Sequence, residues 1–181
     1  SHTVPGVPMS IHTIAEAASA LAQGSQTAEG LVEAALARAT DPAGEGRSAF
    51  ISLQADSARA AARAMDLLRA AGRAPSPWAG IPITIKDLYD QAGVVTRGGS
   101  VALSDAAPAA ATAPSVARLE QAGFVVLGRT NMTEFAFSGL GVNPHYGTPR
   151  SPWDRATGRL PGGSSSGAAV ATADGMGFAG L

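Results

Sequence analysis

Of the 13 basic residues in this 181-residue chain, 12 are arginines and one, Lys86, is a lysine. Arginine stays protonated in proteins, whereas a desolvated lysine can lose its proton and serve as a base. Lys86 closes the apolar run Gly80-Ile81-Pro82-Ile83-Thr84-Ile85. An amine at the end of such a strand is desolvated and pushed towards its neutral form. The competing structural reading is a strand-end lysine snorkelling to water, or one held charged by Asp87 beside it. A second segment, Arg159-Leu160-Pro161-Gly162-Gly163-Ser164-Ser165-Ser166-Gly167-Ala168-Ala169-Val170, runs from glycines through three hydroxyls into helix formers. It places backbone N–H groups and serine side chains at a helix N-terminus, a geometry suited to anions, oxyanions or hydroxyl relays. Its structural alternative is a flexible turn with a serine N-cap. The third segment, Gly128-Arg129-Thr130-Asn131-Met132-Thr133-Glu134-Phe135, reads as a polar turn leaving a buried strand. In open α/β sheets ligands collect at the carboxyl ends of strands, which makes this turn a pocket-wall candidate.

Other chemistries fail on residue type. The chain has no cysteine, which removes disulfides, thiol nucleophiles and thiolate metal sites. His2, His12 and His145 are scattered and His-Glu-x-x-His is absent, so no metal site is expected. His145 reads as a loop hydrogen-bonder. A phosphate-binding P-loop needs a glycine before its lysine, and Ile85 stands there. Gly163-x-Ser165-x-Gly167 fits the nucleophile elbow of α/β-hydrolases, but a turn precedes it and no histidine follows it. A net charge of −1 argues against nucleic acid as a partner. No run reaches the roughly 18 apolar residues of a membrane span, and the first residues lack a basic and apolar leader. A soluble, cytoplasmic protein is expected.

The elements that must hold these segments are legible in outline. Thr13-Ile14-Ala15-Glu16 is a capping box opening a helix that ends near Gly24. Thr27 opens another, with Leu31, Val32, Ala35 and Leu36 on one face and Asp41-Pro42 as its stop. A third helix runs from Ala55 to Ala71, closed by Gly72, and a fourth from Pro114 to Ala122, capped by Gly123. Phe50 to Leu53, Ile81 to Ile85 and Phe124 to Leu127 read as short strands. Helices alternating with β-branched runs predict an α/β fold, and 45% hydrophobic residues exclude a disordered chain.

Taken together the segments resemble the amidase signature family. The resemblance rests on Gly80-Ile81-Pro82-x-x-Ile85-Lys86-Asp87 and Gly128-Arg129-Thr130-Asn131-Met132-x-Glu134-Phe135. It continues through Asn143-Pro144-His145-Tyr146-Gly147, Ser151-Pro152-Trp153-Asp154 and Pro161-Gly162-Gly163-Ser164-Ser165-Ser166-Gly167. The resemblance implies a mixed β-sheet flanked by helices, incomplete at the C-terminus. Residues 1–9 are then an N-terminal extension, and 10–181 the N-terminal part of a catalytic domain. It implies amide hydrolysis by a Ser–Ser–Lys relay without cofactor or metal. Lys86 is the matching general base, and Ser164 the serine that follows a non-proline cis peptide and passes protons. Met132, Phe135, Gly162 and Gly163 match substrate-contacting positions. The family's attacking serine falls beyond Leu181, so this chain by itself is expected to be inactive. The implied partners are a small-molecule amide and either a second copy or the C-terminal part of the domain, with neither nucleic acid nor membrane.

Two further readings accompany hydrolysis within that resemblance: the corresponding subunit of a glutamine-dependent amidotransferase, and a non-catalytic remnant kept for binding or assembly. From another class comes a Schiff-base enzyme, with Lys86 holding a carbonyl or pyridoxal phosphate; borohydride trapping separates it from an amidase, whose relay forms no imine.

Overall fold

The computed structural model describes residues 11–181, and the extension expected over 1–9 lies outside them. Among the described residues, six α-helices and three strands follow in the order α1 (Ile14–Ala22), α2 (Ala28–Ala39), α3 (Gly46–Ala49), β1 (Phe50–Leu53), α4 (Ala55–Ala70), β2 (Pro82–Lys86), α5 (Pro114–Gln121), β3 (Val125–Thr130) and α6 (Ser166–Ala173). The first two helices start where a side chain meets the N–H groups that the first turn leaves free. Thr13 Oγ1 accepts from Glu16 N–H while the Glu16 carboxylate accepts from Thr13 N–H, completing the capping box. Thr27 Oγ1 accepts from Gly30 N–H. The Asp66 carboxylate of α4 also accepts from Ala28 and Glu29 N–H at 2.8 and 3.0 Å, so α4 caps α2 from a distance.

The sheet is mixed, in the order β1-β3-β2, with β1 antiparallel and β2 parallel to β3. Alternate residues of β3 feed different cores. Val125 and Leu127 join Ile81 and the apolar faces of α1, α2 and α4. Val126 joins Ile85 and Val116 of α5. A third cluster, Ala39, Ala49, Phe50, Val170, Ala171 and Met176, seats α6. This is the α/β architecture that the sequence predicts. The outer edge of β2 is covered by the last residues. Thr84 and Lys86 N–H donate to Ala179 and Leu181 carbonyls, and Leu181 N–H returns to Thr84 O.

One expectation is corrected. Gly128-Arg129-Thr130 is not a turn leaving the strand; all three residues belong to β3 and all are buried. The ladder bulges there: three steps of β3, Val126 to Arg129, stand against two of β2, Ile83 to Ile85. Such a bulge re-aims the side chains that follow it. A charge survives inside the strand because Arg129 pairs with Asp87 at 3.2 Å, both side chains being fully buried. Gly128 is there because β1 passes so close that a β-carbon would lie 2.4 Å from Ser52 O.

Candidate active site

Lys86 is the last residue of β2, and only 8% of it is exposed. Its Nζ donates to Ser164 Oγ at 2.6 Å, across 78 residues of sequence. An amine and a hydroxyl can each donate to the other, so this contact can pass a proton in either direction. Among the described residues none of the ion pairs includes Lys86. Burial therefore acts on it unopposed and pushes its pKa below that of an ordinary lysine. Asp87 does not hold it charged. Asp87 lies in the turn after β2, and its carboxylate accepts from Arg129 Nε and from Arg97 and Gly99 N–H. Burial raises the pKa of Asp87, against the opposing pull of Arg129, the Gly99 N–H and Arg97.

Ser164 sits at the end of a glycine pair fixed by close packing. The Gly163–Ser164 peptide is cis, as the resemblance implies. Gly163 lies so near Gly141 that a β-carbon would approach its nitrogen to 2.7 Å, and a β-carbon on Gly141 would meet Gly162 O at 2.1 Å. Thr133 N–H donates to Ser164 O, and Gly167 N–H donates to Asn131 O. The segment after β3 thus forms the back wall of the serine loop.

The structure brings Lys86, Ser164, Gly162 and Gly163 together. Met132 stands one layer behind: its side chain is fully buried, and its carbonyl accepts from Asn143 Nδ2. Phe135 lies two residues beyond Thr133, half exposed, with a left-handed backbone (φ 51°) and its N–H bonded to Gly98 O. His145 is a loop hydrogen-bonder, its N–H donating to Asn143 Oδ1 and its ring 3.2 Å from Glu134.

Residue-by-residue reading gives no role to two amides that organise the wall. Asn131 Nδ2 donates to Ser48 and Gly147 carbonyls, joining α3 to the segment after β3. Asn143 Nδ2 donates to Gly99 and Met132 carbonyls, while its Oδ1 accepts from His145 and Tyr146 N–H. The Asn-Pro pair at 143–144 signals a side chain bonded to its own backbone, but not the longer reach. A separate surface cavity lined by Gln54, Met65, Gln91, Glu120 and Phe124 includes none of the expected site residues.

A family model described as Amidase matches residues 30–181. The chain is 48% identical over 119 residues to 2-amino-5-chloromuconic acid deaminase of Comamonas testosteroni, covering 65% of this chain and 25% of that protein. It is 43% identical over 172 residues to a glutamyl-tRNA(Gln) amidotransferase subunit of Oleidesulfovibrio alaskensis, covering 93% and 34%. Among solved structures, native peptide amidase from Stenotrophomonas maltophilia superposes with a TM-score of 0.81 at 35% identity, covering 94% of this chain and 35% of that one. The chain spans about a quarter to a third of the length of these relatives. None of its helices among the described residues is long and apolar enough to cross a membrane.

Proposed function

The chain belongs to the amidase family, and we propose that its 181 residues form the N-terminal part of an enzyme that hydrolyses a carboxamide C–N bond. The observation that carries this is the 2.6 Å contact between a buried lysine, without an acidic partner among the described residues, and a serine on a close-packed glycine loop. Neutral Lys86 accepts the Ser164 proton while Ser164 takes one from an attacking serine contributed beyond Leu181. The attacking oxygen adds to the amide carbonyl carbon, and backbone N–H groups of the attacking segment bind the developing oxyanion. The proton returns through Ser164 to the amide nitrogen, the C–N bond breaks, and ammonia or an amine leaves. Water, deprotonated through the same relay, then cleaves the acyl ester to the carboxylate. Gly162, Gly163 and Phe135 contact the substrate, Met132 backs that surface, and the relay requires no cofactor. The protein acts in the cytoplasm on a small-molecule amide, as a homodimer or through association of this part with the rest of the domain.

The test is substitution in the protein carrying Lys86, Ser164 and the attacking serine. Lys86→Arg keeps the charge but cannot become the base, so kcat falls by about 10²–10⁴-fold, the usual worth of positioned proton transfer. Ser164→Ala falls comparably, and the double variant is little worse than the worse single one, because the two act as one relay. Rates for Lys86→Arg within a few-fold of the parent overturn the relay, whereas a parent that turns over no carboxamide leaves the non-catalytic remnant. The 43% identity to an amidotransferase component over 93% of the chain favours a second reading, with glutamine as the amide. Ammonia release from glutamine, compared with other carboxamides, separates the two.

A further inference from the structure

Lys86 is in register with Thr130 across the parallel β2–β3 ladder. In-register neighbours on adjacent strands present their side chains to one face, about 5 Å apart at the β-carbons. Both residues are buried, Thr130 completely, and α6, which Ser164 precedes, packs on both strands. Thr130 Oγ1 has no hydrogen-bond partner among the described residues. Native proteins rarely leave a buried hydroxyl unpaired without a reason.

Lys86 has the complementary deficit. A neutral amine carries two N–H donors and one lone pair, and Ser164 is the hydrogen-bond partner that Nζ has. To take the Ser164 proton, the lone pair must face Ser164 Oγ while both N–H groups point elsewhere. Rotation about the Cε–Nζ bond spoils that alignment unless an acceptor fixes it. From this juxtaposition we propose that Thr130 is a positioning residue, whose hydroxyl accepts a Lys86 N–H through one water and aims the lone pair at Ser164. The proposal rests on Lys86 acting as the base. Thr84, two residues back on the same face of β2, also has an unpartnered buried hydroxyl. That hydroxyl lies instead towards Gly180, 3.0 Å from where a β-carbon there would stand, so Thr84 supplies the control.

Lys86 is the chain's only lysine, so lysine-selective ¹³C labelling gives a single ε-methylene signal by NMR. Rotation about the Cδ–Cε bond averages the two ε-protons, and an amine anchored on two sides resists that rotation where one anchored on Ser164 alone does not. Two resolved ε-proton shifts are expected in the parent and merged ones in Thr130→Val, with separation restored in Thr130→Ser and unaffected in Thr84→Val. Thr130→Ala provides the same loss of hydroxyl should valine not be accommodated. In the hydrolysing protein, Thr130→Val lowers kcat about tenfold, a part of the 10²–10⁴-fold that positioned proton transfer is worth, leaves KM unchanged, and is rescued by Thr130→Ser. Unaltered ε-proton shifts in both Thr130→Val and Thr130→Ala, or equal merging in Thr84→Val, overturn the proposal. If the shifts respond as expected but Lys86→Arg retains hydrolysis, the base reading fails while the placement of Thr130 beside the amine stands.

Discussion

Keeping Lys86 dry leaves a mark on the pH dependence of folding. Its folded pKa lies below the ordinary 10.5, so between those two values the unfolded chain binds more protons than the folded one. Stability therefore rises with pH across that window. Lys86→Met removes this slope: urea midpoints of parent and variant, measured from neutral pH to about 10.5, should converge or cross as the parent gains. Parallel curves would mean that the amine titrates as in the unfolded chain. Glu45, also lowered, gives a slope of the same sign in the acid range, but there it is the charged form that the fold favours. Burial pushes its carboxyl up, but the Arg150 N–H and guanidinium hydrogen bonds and the Arg150 charge outweigh this and leave it below 4.5. Its stabilisation is complete above 4.5 and is lost as pH falls through the folded value. Glu45→Gln should lower stability at neutral pH and flatten the acid limb of the same measurement.

At the scale of elements, the Asp87–Arg129 pair ties the ends of β2 and β3 to the 97–99 loop. Arg129→Met leaves a buried carboxylate without its partner and should cost about 3–5 kcal/mol by urea denaturation, much of it recovered in Asp87→Asn/Arg129→Met. A single variant as stable as the parent would show that the pair bears no such load. This pair also explains what the sequence conceals. Helix starts are local events: Thr13 with Glu16, and Thr27 with Gly30, are three residues apart and can be read directly. The end of β3 is not local, because Gly-Arg-Thr has turn chemistry unless Asp87, 42 residues away, accepts the arginine. The same holds for Asn131 and Asn143, whose amides span loops that only the fold brings together. Lys86 and Ser164 are each recognisable as reactive types, but their 2.6 Å contact spans 78 residues and could be anticipated only from the family's motifs.

On the whole-molecule scale, four of the eleven large apolar residues that lie exposed among the described residues fall in one short stretch. Phe135, Phe137, Leu140 and Val142, within eight residues of sequence, are 55%, 94%, 60% and 43% exposed. Single exposed apolar side chains are ordinary, whereas a contiguous set marks a surface that other protein or ligand covers. This stretch is held firmly rather than hanging free: Phe135 N–H bonds Gly98 O, and Gly141 is wedged against Gly162 and Gly163. A rigid apolar surface associates at lower cost than a mobile one, because little ordering entropy is lost on contact. The outer edge of β2 offers no second route, because residues 179–181 pair along it. The 181-residue chain should therefore self-associate, with a sedimentation coefficient that rises with concentration across the micromolar range. Phe137→Ser/Leu140→Ser should shift it towards monomer while leaving the unfolding midpoint nearly unchanged, since surface substitutions of this kind usually stay within about 0.5 kcal/mol. A parent chain that sediments as a clean monomer at every concentration would show that the stretch is not adhesive by itself.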